Sequence, residues 1–179
     1  MLFRSRNWAM LMRNLAVAPK GLWVGHVART WKADHIHVQW ATTTATIAMI
    51  ASVVSGVSWS LTAHRGDIAD DNLLAVKMGH ASLVRFISRE GVRMARALVA
   101  DWPADKAVVI HMGVRLPKAE TTSLPSPEIP VTMCTANLLP VKGHRFLIEA
   151  FRILKDRGVQ GELHLAGKGE LENELRATI

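Results

Sequence analysis

Short apolar runs alternate with helical segments along most of this 179-residue chain, and that alternation narrows its fold more than any other feature. Ile36, Val38 and Trp40 alternate with His37 and Gln39, a period of two that reads as a strand. Residues 43–55 read as a helix stopped by Gly56, and residues 57–62 as the next strand. His64-Arg65-Gly66-Asp67 forms a polar loop at that strand's carboxyl end. A helix over 72–78, a strand over 83–87, a helix over 89–99 and a strand over 107–110 complete the series. Strands linked by helices imply right-handed crossovers and an α/β fold with a parallel sheet, buried on both faces.

The pattern breaks at residues 116–130, LPKAETTSLPSPEIP, where four prolines make a poor helix and a poor central strand. Three parts follow: a domain over 1–115, a linker over 116–130 and a second domain beginning at 131 and running to 179. The second part reads as a strand over 131–135, a loop to Gly143 and a helix over 144–157. A strand over 162–166, the turn Gly167-Lys168-Gly169 and a helix from Glu170 follow. One or two β/α units cannot cover both faces of a sheet, so this second domain is expected to be incomplete. Ahead of the first strand, residues 3–17 read as a basic amphipathic helix with Trp8, Leu11 and Leu15 at helical spacing. Pro19 suits the first turn of a second helix, which carries Leu22, Trp23, Val27 and Trp31 on one side.

Charge and cysteine content narrow the function classes. The net charge of +7 calls for anionic partners, and much of it lies in Arg4, Arg6, Arg13, Lys20, Arg29 and Lys32, opposed there only by Asp34. Zinc-finger spacing and an aromatic-basic sheet signature are both missing and there is no tyrosine, which argues against nucleic acid. Cys134 stands alone, so no intramolecular disulfide or cysteine metal cluster forms, in keeping with a reducing compartment. Arg13 interrupts the N-terminal apolar stretch, and no small-residue cleavage site follows it as a signal peptide would need. The apolar run over 45–63 is broken by Ser52, Ser55, Gly56, Ser58 and Ser60, and fits a buried helix, turn and strand better than a membrane span.

Several strings, in order, carry a resemblance. They are Asp34-His35-Ile36-His37, Leu61-Thr62-Ala63-His64, Ile87-Ser88, Ile110-His111-Met112-Gly113-Val114 and residues 136–143, ANLLPVKG. Leu147-Ile148-Glu149-Ala150 and Leu165-Ala166-Gly167-Lys168-Gly169 extend it. Together they resemble glycosyltransferase family 4, and the first third is similar to members that build bacterial surface polysaccharides. The resemblance implies a GT-B architecture of two Rossmann-like parallel-sheet domains, an acceptor-side domain at 1–115 and a nucleotide-sugar domain from 131. It also implies that both domains are cut short: the first strand with its glycine-rich loop would precede Met1, and a donor-binding pair of glutamates would follow Ile179. Glu162 and Glu170 have that pair's spacing but stand too early in the domain.

By this resemblance Lys142, with Gly143 before a helix, is the lysine that contacts the donor phosphate; a solvated lysine is the plainer alternative. Asn137 stands where many members carry arginine, able to hydrogen-bond a phosphate oxygen but bringing no charge, or else simply forming a turn. His64 matches a histidine that contacts the transferred sugar, against the alternative of a loop histidine capping a carbonyl. Asp67 has a spacing suited to binding hydroxyls, or caps the next helix. His37 lines the cleft; with His35 it shares a strand face, but no third metal ligand is evident and Gln39 replaces the family's second histidine, so no metal is expected. Gly167 and Gly169 read as a structural turn.

The resemblance therefore implies a retaining transferase without a cofactor, moving a sugar from a nucleoside diphosphate to a polysaccharide or glycolipid, or an inactive fragment of one. It belongs in the cytoplasm, or peripherally on the inner face of the membrane. The alternative is a non-catalytic module in which the basic helix over 3–17 docks on anionic lipid or pairs subunits.

Overall fold

The computed structural model describes residues 8–116 and 128–179. Arg4, Arg6 and most of the proline-rich segment lie outside the described residues. The chain forms two compact units that divide between Arg115 and Leu116.

The first unit opens with α1 (Trp8–Ala16) and α2 (Ala18–Thr30), then alternates. Its strands are β1 (Ile36–Gln39), β2 (Trp59–Ala63), β3 (Leu83–Phe86) and β4 (Ala107–Val109), joined through α3 (Thr43–Ser55), α4 (Arg65–Asp70), α5 (Leu74–His80) and α6 (Arg89–Leu98). All three strand pairs are parallel, in the order β1-β2-β3-β4. Each crossover moves one strand further in the same direction, so right-handed connections bring their helices to one face. There Ala45 and Met49 of α3, Leu74 and Met78 of α5 and Ala95 of α6 pack on Leu61, Val84 and Phe86. Gly56 ends α3 in the left-handed conformation, φ +76°, which costs glycine nothing.

The expectation of a sheet buried on both faces is corrected by the other side of β1 and β2. Alternate positions there carry His37 and Gln39, both exposed, beside the hydroxyls of Ser60 and Thr62. The polar members of a period-two pattern need solvent or hydrogen-bond partners, and here they find both. The loop read over 64–67 also proves to be the start of α4.

Helix α2 packs on α3 through Gly21, Gly25 and Ala28, all buried, while Leu22, Trp23 and Trp31 stay exposed. A Cβ on Gly21 would meet Ile50 Cβ at 2.7 Å, and one on Gly25 would meet the Ala51 carbonyl at 3.0 Å. Small residues, not the larger apolar stripe, therefore make the helix seam.

The second unit has β5 (Val131–Thr135) and β6 (Glu162–Ala166), paired in parallel from Val131↔Glu162 to Thr135↔Ala166. A 3-10 turn (Pro140–Lys142) leads into α7 (His144–Asp156), and α8 (Glu172–Thr178) follows β6. Leu138, Leu171 and Leu175, with Ile148 against them, form its small core.

Candidate functional site

Open parallel sheets present their ligand-binding loops beyond the carboxyl ends of the strands. Each unit has such an edge.

In the first unit, β1 is followed by Trp40, whose φ of +66° turns the chain sharply. The next amide, Ala41 N–H, donates to Asp67 Oδ2, and the His64 N–H donates to Asp67 Oδ1 at 2.9 Å. Asp67 is buried and receives one backbone donor on each oxygen, capping α4 while tying the exits of β1 and β2 together. That arrangement supports the capping reading of Asp67. His64 is half-buried; its Nε2 has no hydrogen-bond partner among the described residues, and its ring lies 5.9 Å from that of half-exposed Trp40, tilted by 40°. That nitrogen is itself shielded from solvent, so the ring must turn before it can meet a ligand hydroxyl.

Beneath this edge lies a lysine that sequence reasoning missed. Lys77 of α5 is fully buried, and its ammonium donates to the carbonyls of Ala41 at 2.9 Å and Thr42 at 2.7 Å. Burial pushes its pKa down from 10.5 to about 7, while Asp67 and Asp70 pull the other way. The signal was present: Lys77 falls on the same helical stripe as Leu74 and Met78, a polar residue in an apolar row.

His37 does not reach this edge as a free ligand. Its Nδ1 lies 2.8 Å from Ser60 Oγ and its Nε2 3.0 Å from Thr62 Oγ1, so both nitrogens have hydroxyl partners. His35 bridges Ser58 and Ser60 in the same manner, at 2.8 and 2.7 Å. Burial first, then the charges of His35 and Arg85, lower the His37 pKa. Imidazoles engaged by hydroxyls on both nitrogens form a polar ladder on the sheet. Among the described residues, no group of three or more histidine, cysteine or acidic side chains is arranged to hold a metal.

In the second unit, the loop after β5 and the loop after β6 are zipped together. Ala136 N–H donates to Ala166 O at 3.1 Å, Leu138 N–H to Lys168 O at 2.9 Å, and Leu171 N–H to Leu138 O at 3.1 Å. A Cβ on Gly167 or Gly169 would collide with the carbonyl of Ala136 or Leu138, so these glycines serve close backbone approach. Asn137 and Lys142 are both exposed on the adjoining loop. Gly143, with φ +72°, turns the chain from the 3-10 turn into α7, and its carbonyl accepts from Phe146 N–H at 3.0 Å. The first amides of a helix have no partner within it, so this terminus offers donors and a favourable dipole to an anion.

His144, unnoticed in the sequence, opens that helix. It is 1% exposed, and neither ring nitrogen has a hydrogen-bond partner among the described residues. A buried, unpaired polar group costs about 1–3 kcal/mol, and His144 carries that cost at the start of α7. Only its position directly after Gly143 hinted at this.

A comparison with protein-family models finds no match, and a comparison with curated proteins finds none either.

Proposed function

We propose that the chain is part of a retaining, family 4-like glycosyltransferase of GT-B architecture that uses a nucleoside-diphosphate sugar and a polysaccharide or glycolipid acceptor. The parallel-sheet architecture is compatible with that reading. The observation that carries it is the start of α7, where exposed Lys142, left-handed Gly143 and unpartnered His144 occur consecutively.

The chemistry follows from charge. Breaking the anomeric bond leaves negative charge on the departing diphosphate, and a fixed cation with helix N–H donors stabilises it. In this proposal Lys142 supplies the ammonium and α7 supplies amide donors. Asn137 adds a neutral hydrogen bond where an arginine would add charge. Within the first unit, Asp67 holds the His64 backbone in place at the carboxyl edge of the sheet. The acceptor's proton passes to the departing phosphate. No further cofactor enters the proposal, which belongs to a cytoplasmic protein working beside the membrane.

Isothermal titration with UDP and GDP tests the diphosphate site, and donor hydrolysis or sugar transfer tests the reaction. Lys142→Ala is expected to weaken diphosphate binding about tenfold to a hundredfold, the worth of a charge-assisted hydrogen bond. Equal binding by wild type and Lys142→Ala, or binding of neither nucleotide by wild type, would overturn the proposal.

A further inference from the structure

We infer that α2 docks the first unit on an anionic lipid bilayer through Trp23, Val27 and Trp31, with Lys20 and Lys32 beside them. This inference does not depend on the sugar-transfer reading.

The geometry begins with the glycines. Gly21, Gly25 and Ala28 are committed to the α3 seam, where added side chains would strike Ile50, Ala51 and Val54. At 100° per residue, Trp23, Val27 and the C-cap residue Trp31, at a spacing of four, follow a flank of α2 about 90° to 170° from that seam, with Val27 half-buried. Trp23 is 66% exposed and Trp31 79% exposed. Helix α1 adds exposed Trp8 and Met12, with Arg13 next in sequence.

Charge selects the occupant. Residues 8–33 contain Arg13, Lys20, Arg29 and Lys32 and no acidic residue at all, so the complementary surface is anionic. Arg29 donates to the Val54 carbonyl and so also fastens α2 to α3. Indole places an apolar body and a polar N–H at the same depth as lipid headgroups, and lysine stems carry ammonium groups to the phosphates. Among the described residues no helix is long and apolar enough to cross a membrane, so α2 would lie in the plane of the interface.

Flotation with pure phosphatidylcholine vesicles and with vesicles containing phosphatidylglycerol tests the inference. Wild type is expected to float with the anionic vesicles only, and less as salt rises. Trp23→Ser with Trp31→Ser should weaken partitioning about tenfold. Lys20→Gln and Lys32→Gln should each weaken it roughly fivefold. Because these side chains are exposed, the variants should keep the wild-type circular dichroism and melting temperature. Quenching of wild-type tryptophan fluorescence by brominated anionic lipid gives a readout free of any folding defect, and it should be strong. Absence of quenching, equal flotation with neutral vesicles, or unchanged flotation of the tryptophan variant would each overturn the inference. So would a wild-type dimer in sedimentation that Trp23→Ser and Trp31→Ser convert to monomer, which would make the stripe a subunit interface.

Discussion

The Lys77 ammonium donates to the Ala41 carbonyl at 2.9 Å, linking a helix to a loop 36 positions earlier in the chain. With the second bond to Thr42, the ammonium holds in place the turn between β1 and α3, whose next amide donor already belongs to Asp67. The carboxyl edge of the first unit is thus built around two buried charged side chains, each satisfied by backbone groups.

Removing the lysine takes the ammonium donor from the Ala41 carbonyl in a packed core, while the Thr42 carbonyl keeps the Ala45 N–H at 3.1 Å. Lys77→Ala is expected to destabilise the first unit by about 2–4 kcal/mol, and Lys77→Met, which preserves volume, by about 1–3 kcal/mol. Urea denaturation followed by circular dichroism reads both. A midpoint unchanged in Lys77→Ala would show that the two bonds contribute nothing.

The depressed lysine also makes stability depend on pH. Between its folded pKa of about 7 and an unfolded value near 10.5, the unfolded chain carries the extra proton. Stability therefore rises with pH across that window, by up to about 1.4 kcal/mol per pH unit from this group. The cost of keeping the ammonium charged is fully present below pH 7. Urea midpoints from pH 7 to 9.5 should climb in wild type and climb less in Lys77→Met; identical slopes would show that Lys77 titrates normally.

Asp67 tests whether the candidate edge is a scaffold. Asp67→Ala strips acceptors from the amides of Ala41 and His64 and should cost about 2–4 kcal/mol, whereas Asp67→Asn keeps one acceptor and costs less. Thermal melting distinguishes this from a role confined to ligand hydroxyls, which would leave the melting temperature in place.

Glycine substitutions should split by location. Gly167→Ala and Gly169→Ala drive a Cβ into a carbonyl and should destabilise the second unit by about 2 kcal/mol or more. Gly66→Ala and Gly79→Ala meet open space in α4 and α5 and should be neutral or stabilising by about 0.5–1 kcal/mol. Chemical denaturation of the four variants checks the contrast.

His144→Leu removes two unpaired buried nitrogens and should leave stability unchanged or raised by about 1 kcal/mol. If the nitrogens serve a diphosphate, the same variant should bind UDP or GDP about tenfold more weakly. Unchanged nucleotide affinity would remove His144 from the site.

Much of the element order was legible from local signals. Residues 43–55, 131–135 and 162–166 form α3, β5 and β6 at the bounds their patterns indicate, because Gly56 stops the helix and short β-prone runs end at turns. The α4 turn was not legible, since Arg65-Gly66-Asp67 favours a loop locally and becomes helical through the Asp67 cap. For the candidate site, His64 and Lys142 could be singled out by motif. Lys77 and His144 could not, because their importance lies in lacking solvent, and burial is no property of a lone residue.

Sequence alone determined the parallel α/β alternation, the break near residue 116 and the basic, acid-free stretch over residues 8–33, since all three are properties of neighbours along the chain. Tertiary structure decided which side of α2 faces inward, which sheet face remains polar and which carboxylate holds two strand exits together. Those outcomes depend on the closest approach of distant backbones, where a missing Cβ or a single unsatisfied N–H outweighs the local preference of a whole stripe.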